Sequence, residues 1–162
     1  GNSFGQGKNV PAIAMAHGIP YAATATVADL HDLERKVRYA MSFHGARYIH
    51  ILVPCPLGWG APSAKTIELA RLAHETGLFP VFEAEYGEVT NVSKIRRKQP
   101  VEKYLMLQKR FAHLFGKKGN PEIVQRMQAL ADRNIARYGL LGDEQGDDIP
   151  VPEQAEERHH VI

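Results

Sequence analysis

The chain has 162 residues, 44% of them hydrophobic and 23% charged, with a formal net charge of +2. That length suits one domain with a sizeable core, and the composition is that of an ordinary globular protein. No stretch approaches the roughly 18 consecutive apolar residues of a membrane span, and a single cysteine excludes an internal disulfide and fits a reducing, cytoplasmic setting.

In chain order, residues 1–9 read as the middle of a loop that begins on glycine, so the expectation is a piece of something longer. The polar, Gly-rich start predicts no secretory leader. Residues 10–17 read as a short helix with Pro11 in its first turn and Gly18 as its stop. The β-branched and small run 20–27 (PYAATATV) predicts a strand. Over 30–43 the apolar residues Leu30, Leu33, Val37, Ala40 and Met41 fall on one helical face, with Asp29 placed to cap.

Residues 47–53 are mostly aliphatic or aromatic, as in a strand buried on both faces. Pro54 ends that strand because it cannot donate to a ladder. A helix over 64–76 follows, with Ser63 as cap and Gly77 at the residue past its end. A strand over 78–86 is closed by Gly87. This alternation implies an α/β fold with a parallel sheet and crossover helices.

Beyond residue 88 the pattern changes. A short strand over 89–95 and a basic connector over 96–99 lead to an amphipathic helix over 101–115. Asn120, Pro121 and Glu122 then open a last helix, which Gly139 ends. These two helices have apolar faces that need cover. They either fold back on the sheet or form an arm over 89–141 that contacts a neighbouring subunit. Residues 142–162 carry seven acidic side chains against Arg158 alone, so −6 of charge sits there and +8 on the remainder. That tail is expected to be disordered, and a basic body with an acidic tail suits an anionic cofactor or an acidic partner.

The only cysteine, Cys55, stands at the mouth of the second strand, in a Pro/Gly loop with Trp59 close by. In α/β folds ligands sit at that end of the strands. A lone cysteine is more often a small buried hydrophobe, and one thiolate does not build a zinc or iron–sulfur site. His50 is five residues earlier and so on the opposite strand face, which argues against a Cys–His nucleophile. The other histidines are scattered without ligand spacing. Gly5, Gly7 and Lys8 suggest a phosphate loop, yet the spacing fails and Asn9 replaces the required Ser or Thr. The segment 94–98 (KIRRK) lacks the interleaved aromatics of RNA-binding modules, so it reads as a solvated connector or a salt-bridging contact.

Several stretches together resemble one family. Residues 10–25 (VPAIAMAHGIPYAATA), 32–37 (DLERKV), 48–59 (YIHILVPCPLGW), 75–80 (ETGLFP) and 100–105 (PVEKYL), with Gln108, Arg110 and Phe111, are similar in order and spacing to the β subunit of pyruvate:ferredoxin oxidoreductases. The resemblance covers roughly 7–115. It implies that residues 1–88 are the C-terminal part of a thiamine diphosphate-binding domain. It further implies oxidative cleavage of a 2-oxoacid, pyruvate in the first instance, with thiamine diphosphate, Mg²⁺, coenzyme A and a [4Fe–4S] cluster, electrons passing to ferredoxin.

By the same resemblance Cys55 is the fourth ligand of the cluster, with Leu57–Gly60 packed over it and Trp59 excluding water. The chain departs from the family in lacking the Gly-Asp-Gly and Asn-Thr-Gly segments that bring Mg²⁺ and diphosphate, and the other three cluster cysteines. It therefore resembles the C-terminal half of a subunit in a hetero-oligomer, inactive alone, and every one of these cofactors requires residues outside it. The alternatives are the same chemistry on phenylglyoxylate or another 2-oxoacid, or a non-catalytic assembly module in which Cys55 is merely buried. Neither nucleic acid nor a membrane is expected as a partner.

Overall fold

A computed structural model describes residues 7–117 and 119–142. The tail from 143 onward and most of the opening loop lie outside the described residues. The elements are α1 (Val10–Ala16), β1 (Tyr21–Thr26), α2 (Leu30–Met41), β2 (Arg47–Leu52), α3 (Pro56–Trp59), a 3₁₀ turn (Ser63–Lys65) running into α4 (Thr66–Glu75), β3 (Phe82–Glu85), β4 (Glu88–Val92), α5 (Val101–Met106), a 3₁₀ helix (Lys109–Leu114) and α6 (Pro121–Tyr138).

The caps expected at Asp29 and at the start of α6 are made, but Ser63 does not cap α4: it lies in the 3₁₀ turn before it, and α4 begins at Thr66 without a side-chain cap. The Asp29 carboxylate accepts from the Asp32 N–H at 2.9 Å, and Asn120 accepts from the Ile123 N–H at 3.2 Å. Gly139 closes α6 at φ 58°. Each cap satisfies a donor or turns the chain where the helix leaves its end groups unpaired.

The sheet runs in the order β2-β1-β3-β4. β1 is central and buried along its whole length. Its alanines and threonines leave room for helices on both faces. β1 and β2 pair in parallel, joined by the crossover helix α2. β3 departs from the parallel expectation: it runs antiparallel to β1, with Tyr21 opposite Glu85 and Ala23 opposite Glu83. The reason is where α4 delivers the chain. Residues 80–82 arrive beside Thr24, near the C-terminal end of β1. The Thr24 hydroxyl donates to the Pro80 carbonyl at 2.7 Å and accepts from the Phe82 N–H at 2.9 Å. From there the strand can only run back. β4 returns after Tyr86 and Gly87, both at positive φ (49° and 92°), as a tight two-residue hairpin requires.

On one face α2 covers the sheet, with Ala40 and Phe43 against Tyr21, Ala23 and Ile49. On the other, Met15 and Ile19 at α1 and Tyr138 of α6 pack on Ala22, Phe82 and Ala84. The largest apolar cluster joins Leu69, Leu72, Val101, Tyr104, Leu105 and Val124, with Leu52 against it. The two late helices thus fold back on α4. The sequence helix over 101–115 is broken at Gln108, whose backbone is extended (φ −122°, ψ 115°). Its buried side chain donates from Nε2 to the Tyr104 carbonyl at 2.7 Å, which takes the place of a continued helical hydrogen bond.

α2 buries only part of the face its periodicity suggests. Ala40 is buried, but Lys36 turns inward beside it at 2% exposed, while Leu30 and Met41 are 66% and 70% exposed. Lys36 Nζ donates to the Thr24 carbonyl at 2.9 Å and to Asp32 Oδ2 at 2.6 Å. Arg35 reaches the sheet beside it, with Nη2 donating to Glu83 Oε1 at 2.6 Å and Nη1 to Oε2 at 3.1 Å. Glu83 also accepts from the Tyr21 hydroxyl at 2.7 Å and from Asn91 Nδ2 at 2.9 Å. Burial works to raise the Glu83 carboxyl. The donors from Arg35, Tyr21 and Asn91 outweigh that and hold it below its ordinary value.

Two outcomes follow for stability. A carboxyl with a depressed native pKa stabilises the fold above its unfolded value and loses that contribution as pH falls through the native one. Glu83→Gln should therefore cost about 2–4 kcal/mol at neutral pH and flatten the loss of stability below about pH 4.3, read by urea denaturation across pH. Gly77 sits at φ 80° where an added Cβ would lie 2.6 Å from Ile135 Cγ1 and 2.9 Å from the Ala131 carbonyl. Gly77→Ala should cost about 2–4 kcal/mol from left-handed strain and overpacking together, measured as a drop in Tm.

Candidate functional site

β2 ends at Leu52, and the chain turns through Val53 and the buried Pro54. Cys55 is extended (φ −94°, ψ 108°) and is the N-cap of the four-residue helix α3, with Pro56 in the first turn. Its Sγ accepts from the Gly58 N–H at 3.4 Å. The Trp59 N–H donates to the Cys55 carbonyl at 3.0 Å and the Ala61 N–H to the Pro56 carbonyl at 2.9 Å. Gly60 closes the turn at φ 63°. Cys55 is a free, exposed thiol, not a buried small hydrophobe, and it stands beyond the C-terminal end of a strand.

The loop is held from the side by the segment after α5. The Arg110 guanidinium lies 4.0 Å from the Trp59 ring centroid and 4.7 Å from that of Phe111. Arg110 Nε donates to Gln108 Oε1 at 2.8 Å. The Lys109 N–H donates to the Gly60 carbonyl at 3.2 Å. The fit there is close: a Cβ on Gly60 would meet Lys109 Cβ at 2.7 Å. Gln108 and Arg110 were legible only as part of a family pattern, and periodicity assigned them to a helix that is in fact broken there. Trp59 is half-buried under the guanidinium, whereas Leu57 stands 95% exposed.

The other candidates fall elsewhere. His50 has its Nδ1 buried without a hydrogen-bond partner, and its ring lies edge-on to Phe79 at 5.6 Å. It takes no part in the Cys55 turn. Among the described residues no three His, Cys, Asp or Glu side chains gather to hold a metal ion. This chain offers a cluster a single thiolate, Cys55. That thiolate fits the part: it is accessible, and it already accepts a backbone N–H, as sulfurs bound to metal commonly do.

The Gly-Asp-Gly and Asn-Thr-Gly segments expected to bring Mg²⁺ and diphosphate do not occur in the 162 residues. The basic segment is tied to α6: Lys94 Nζ donates to the Gly139 carbonyl at 2.7 Å, and Lys98 pairs with Asp132 at 2.7 Å. A cleft of about 160 Å³ at the C-terminal end of β1 is lined by Thr26, Asp29, Arg71, His74 and Ser93, not by Cys55. Burial holds the His74 imidazole below its ordinary pKa. No helix among the described residues is long and apolar enough to cross a membrane.

No protein-family model matches the chain. Curated relatives do. It is 49% identical over 133 residues to the pyruvate synthase subunit PorB of Methanosarcina barkeri, which covers 82% of this chain and 45% of that protein. It is 37% identical over 165 residues to the pyruvate synthase subunit PorB of Pyrococcus furiosus, covering 91% of this chain and 47% of the relative. Against the ketoisovalerate oxidoreductase subunit VorB of Pyrococcus abyssi the identity is 43% over 121 residues, with 74% and 38% covered. The chain spans about half the length of the curated relatives it matches. Identity of this level over most of the chain makes it a member of the pyruvate:ferredoxin oxidoreductase β-subunit family.

Proposed function

We propose that this chain is the C-terminal portion of the β subunit of a 2-oxoacid:ferredoxin oxidoreductase. The reaction is oxidative decarboxylation of pyruvate to acetyl-CoA and CO₂, with electrons leaving through a [4Fe–4S] cluster to ferredoxin in the cytoplasm. The observation that carries the reading is the 49% identity to a pyruvate synthase subunit. On this reading residues 1–88 are the C-terminal part of a thiamine diphosphate-binding domain, residues 89–141 are an arm for subunit contacts, and the rest of the subunit supplies the thiamine diphosphate and Mg²⁺ site.

Within that assembly Cys55 is one of the four thiolate ligands of the cluster. A [4Fe–4S] cluster, when bound, accepts electrons one at a time. The part played by this chain is mechanical and electrostatic. The α3 turn fixes the direction of Sγ, the Gly58 N–H helps to hold its negative charge, and Trp59 shields the turn on the side where Arg110 stacks. Pyruvate is taken as the first candidate because the relative at 49% identity is named for it, although relatives named for ketoisovalerate at 43% and 44% stand above the pyruvate synthase subunits at 37% and 38%.

The exposed stripe of Leu30, Val37 and Met41 on α2 and the outer edge of β2, unpaired among the described residues, are then contact surfaces for the remainder of the subunit or its partners.

The test is anaerobic purification of the native complex with wild-type chain and with Cys55→Ala. The expected result is loss of one [4Fe–4S] EPR signal, about four fewer irons, and a fall in 2-oxoacid oxidation of at least ~10²-fold. An unchanged spectrum would refute the ligand role. Turnover of pyruvate, ketoisovalerate and phenylglyoxylate compared by kcat/KM should rank pyruvate first, and no turnover of any would leave the assembly module standing. Met41→Glu should lower recovery of the assembled complex on size exclusion by severalfold, because a charge placed in a covered apolar stripe is stranded. Normal recovery would mean that α2 faces solvent.

A further inference from the structure

The geometry points to Arg110 as the positioning residue for the Cys55 turn, acting through Trp59. The proposal rests on the reading of Cys55 as a cluster ligand and adds a residue that sets its geometry. The turn has little to hold it from within. It is a four-residue helix, far shorter than a helix that persists by its own hydrogen bonds, and Leu57 at its outer side is 95% exposed. Apart from the buried Pro54 before it and Ala61 after it, which packs on the main apolar cluster, the turn is held by contact with the segment following α5. There the guanidinium sits 4.0 Å from the centroid of Trp59, four residues beyond the thiol.

A stacked arginine is effective only if its own plane is fixed. Arg110 is anchored at Nε by Gln108 Oε1 at 2.8 Å. Gln108, buried, is anchored in turn by its Nε2 bond to the Tyr104 carbonyl at 2.7 Å. Tyr104 belongs to the largest apolar cluster of the fold. The path thus runs from the core through Tyr104, Gln108 and Arg110 to Trp59, and ends at the helix that Cys55 caps. The break in the helix at Gln108 finds its purpose here: an unbroken helix over 101–115 would not make the 3₁₀ segment whose Lys109 N–H bonds the Gly60 carbonyl at 3.2 Å. Lysine would not substitute, because it lacks the planar fork that both stacks and donates in fixed directions.

The experiment uses the assembled complex with Arg110→Ala, Trp59→Ala, Trp59→Phe and the double Ala variant. Amide exchange is read for the peptide containing Trp59, Gly60 and Ala61, and the cluster is read by EPR line shape and midpoint potential. Loss of an exposed cation–π contact should speed exchange by about 2- to 5-fold. It should also shift the cluster potential or broaden its signal. Trp59→Phe should restore both, and the double variant should add nothing to either single. Unchanged exchange overturns the clamp whatever the cluster does. Faster exchange with an unchanged cluster, in a complex where Cys55→Ala abolishes the signal, overturns the positioning role. A signal that survives Cys55→Ala overturns the ligand reading itself, while exchange still reports whether the clamp exists.

Discussion

A carboxylate buried at the meeting of β1, β3, β4 and α2 governs how these elements lie. Left without donors, Glu83 would carry a penalty of several kcal/mol. Instead Oε1 receives Arg35 and Asn91, and Oε2 receives Tyr21 and Arg35. These donors come from three other elements, so they are satisfied together in only one register of β3 on β1. A slip by one residue would turn Glu83 to the opposite face, where Phe82 and Tyr138 stack. The network therefore specifies pairing as much as it stabilises it.

The same constraint decides what α2 shows to the outside. With Arg35 and Lys36 committed to the sheet, the helix cannot also present Leu30, Val37 and Met41 to it. Lysine's long stem lets the charge reach Asp32 and the Thr24 carbonyl while its methylenes fill apolar space. The apolar stripe is thereby left on the outer side. A stripe of this kind suits the contact surface proposed for it.

Much of this was legible from the residues, and the failures have identifiable causes. Caps and stops were read correctly at Asp29, Asn120, Gly77 and Gly139, because each depends on local backbone chemistry that a single residue type supplies. The strand ending at Pro54 and the thiol placed beyond it were legible for the same reason. The direction of β3 was not, since alternation of elements says nothing about where α4 releases the chain. That depends on the Thr24 hydroxyl clasping residues 80–82. The inward face of α2 is legible at Ala40 but not at Lys36, because periodicity counts lysine as polar, and polar as outside. The break at Gln108 carries no glycine or proline. It comes from a side chain that bonds the backbone four residues earlier, which a helical pattern conceals.

The site shares that last property. Cys55 announces itself by being the only cysteine, but what orients it lies about fifty residues away in sequence, on the far side of the change in pattern at residue 88. Contacts cross that point at Gly60 with Lys109, at Trp59 with Arg110 and at Gly77 with Ile135. The thiol turn is thus built on the late helices. Any force that shifts the 3₁₀ segment against α5 is transmitted to Cys55 through a guanidinium and an indole, with only a short helix between to absorb it. If Cys55 holds a cluster as proposed, such a support would help it keep one geometry, because the support is rooted in the core and not in the loop that carries the sulfur.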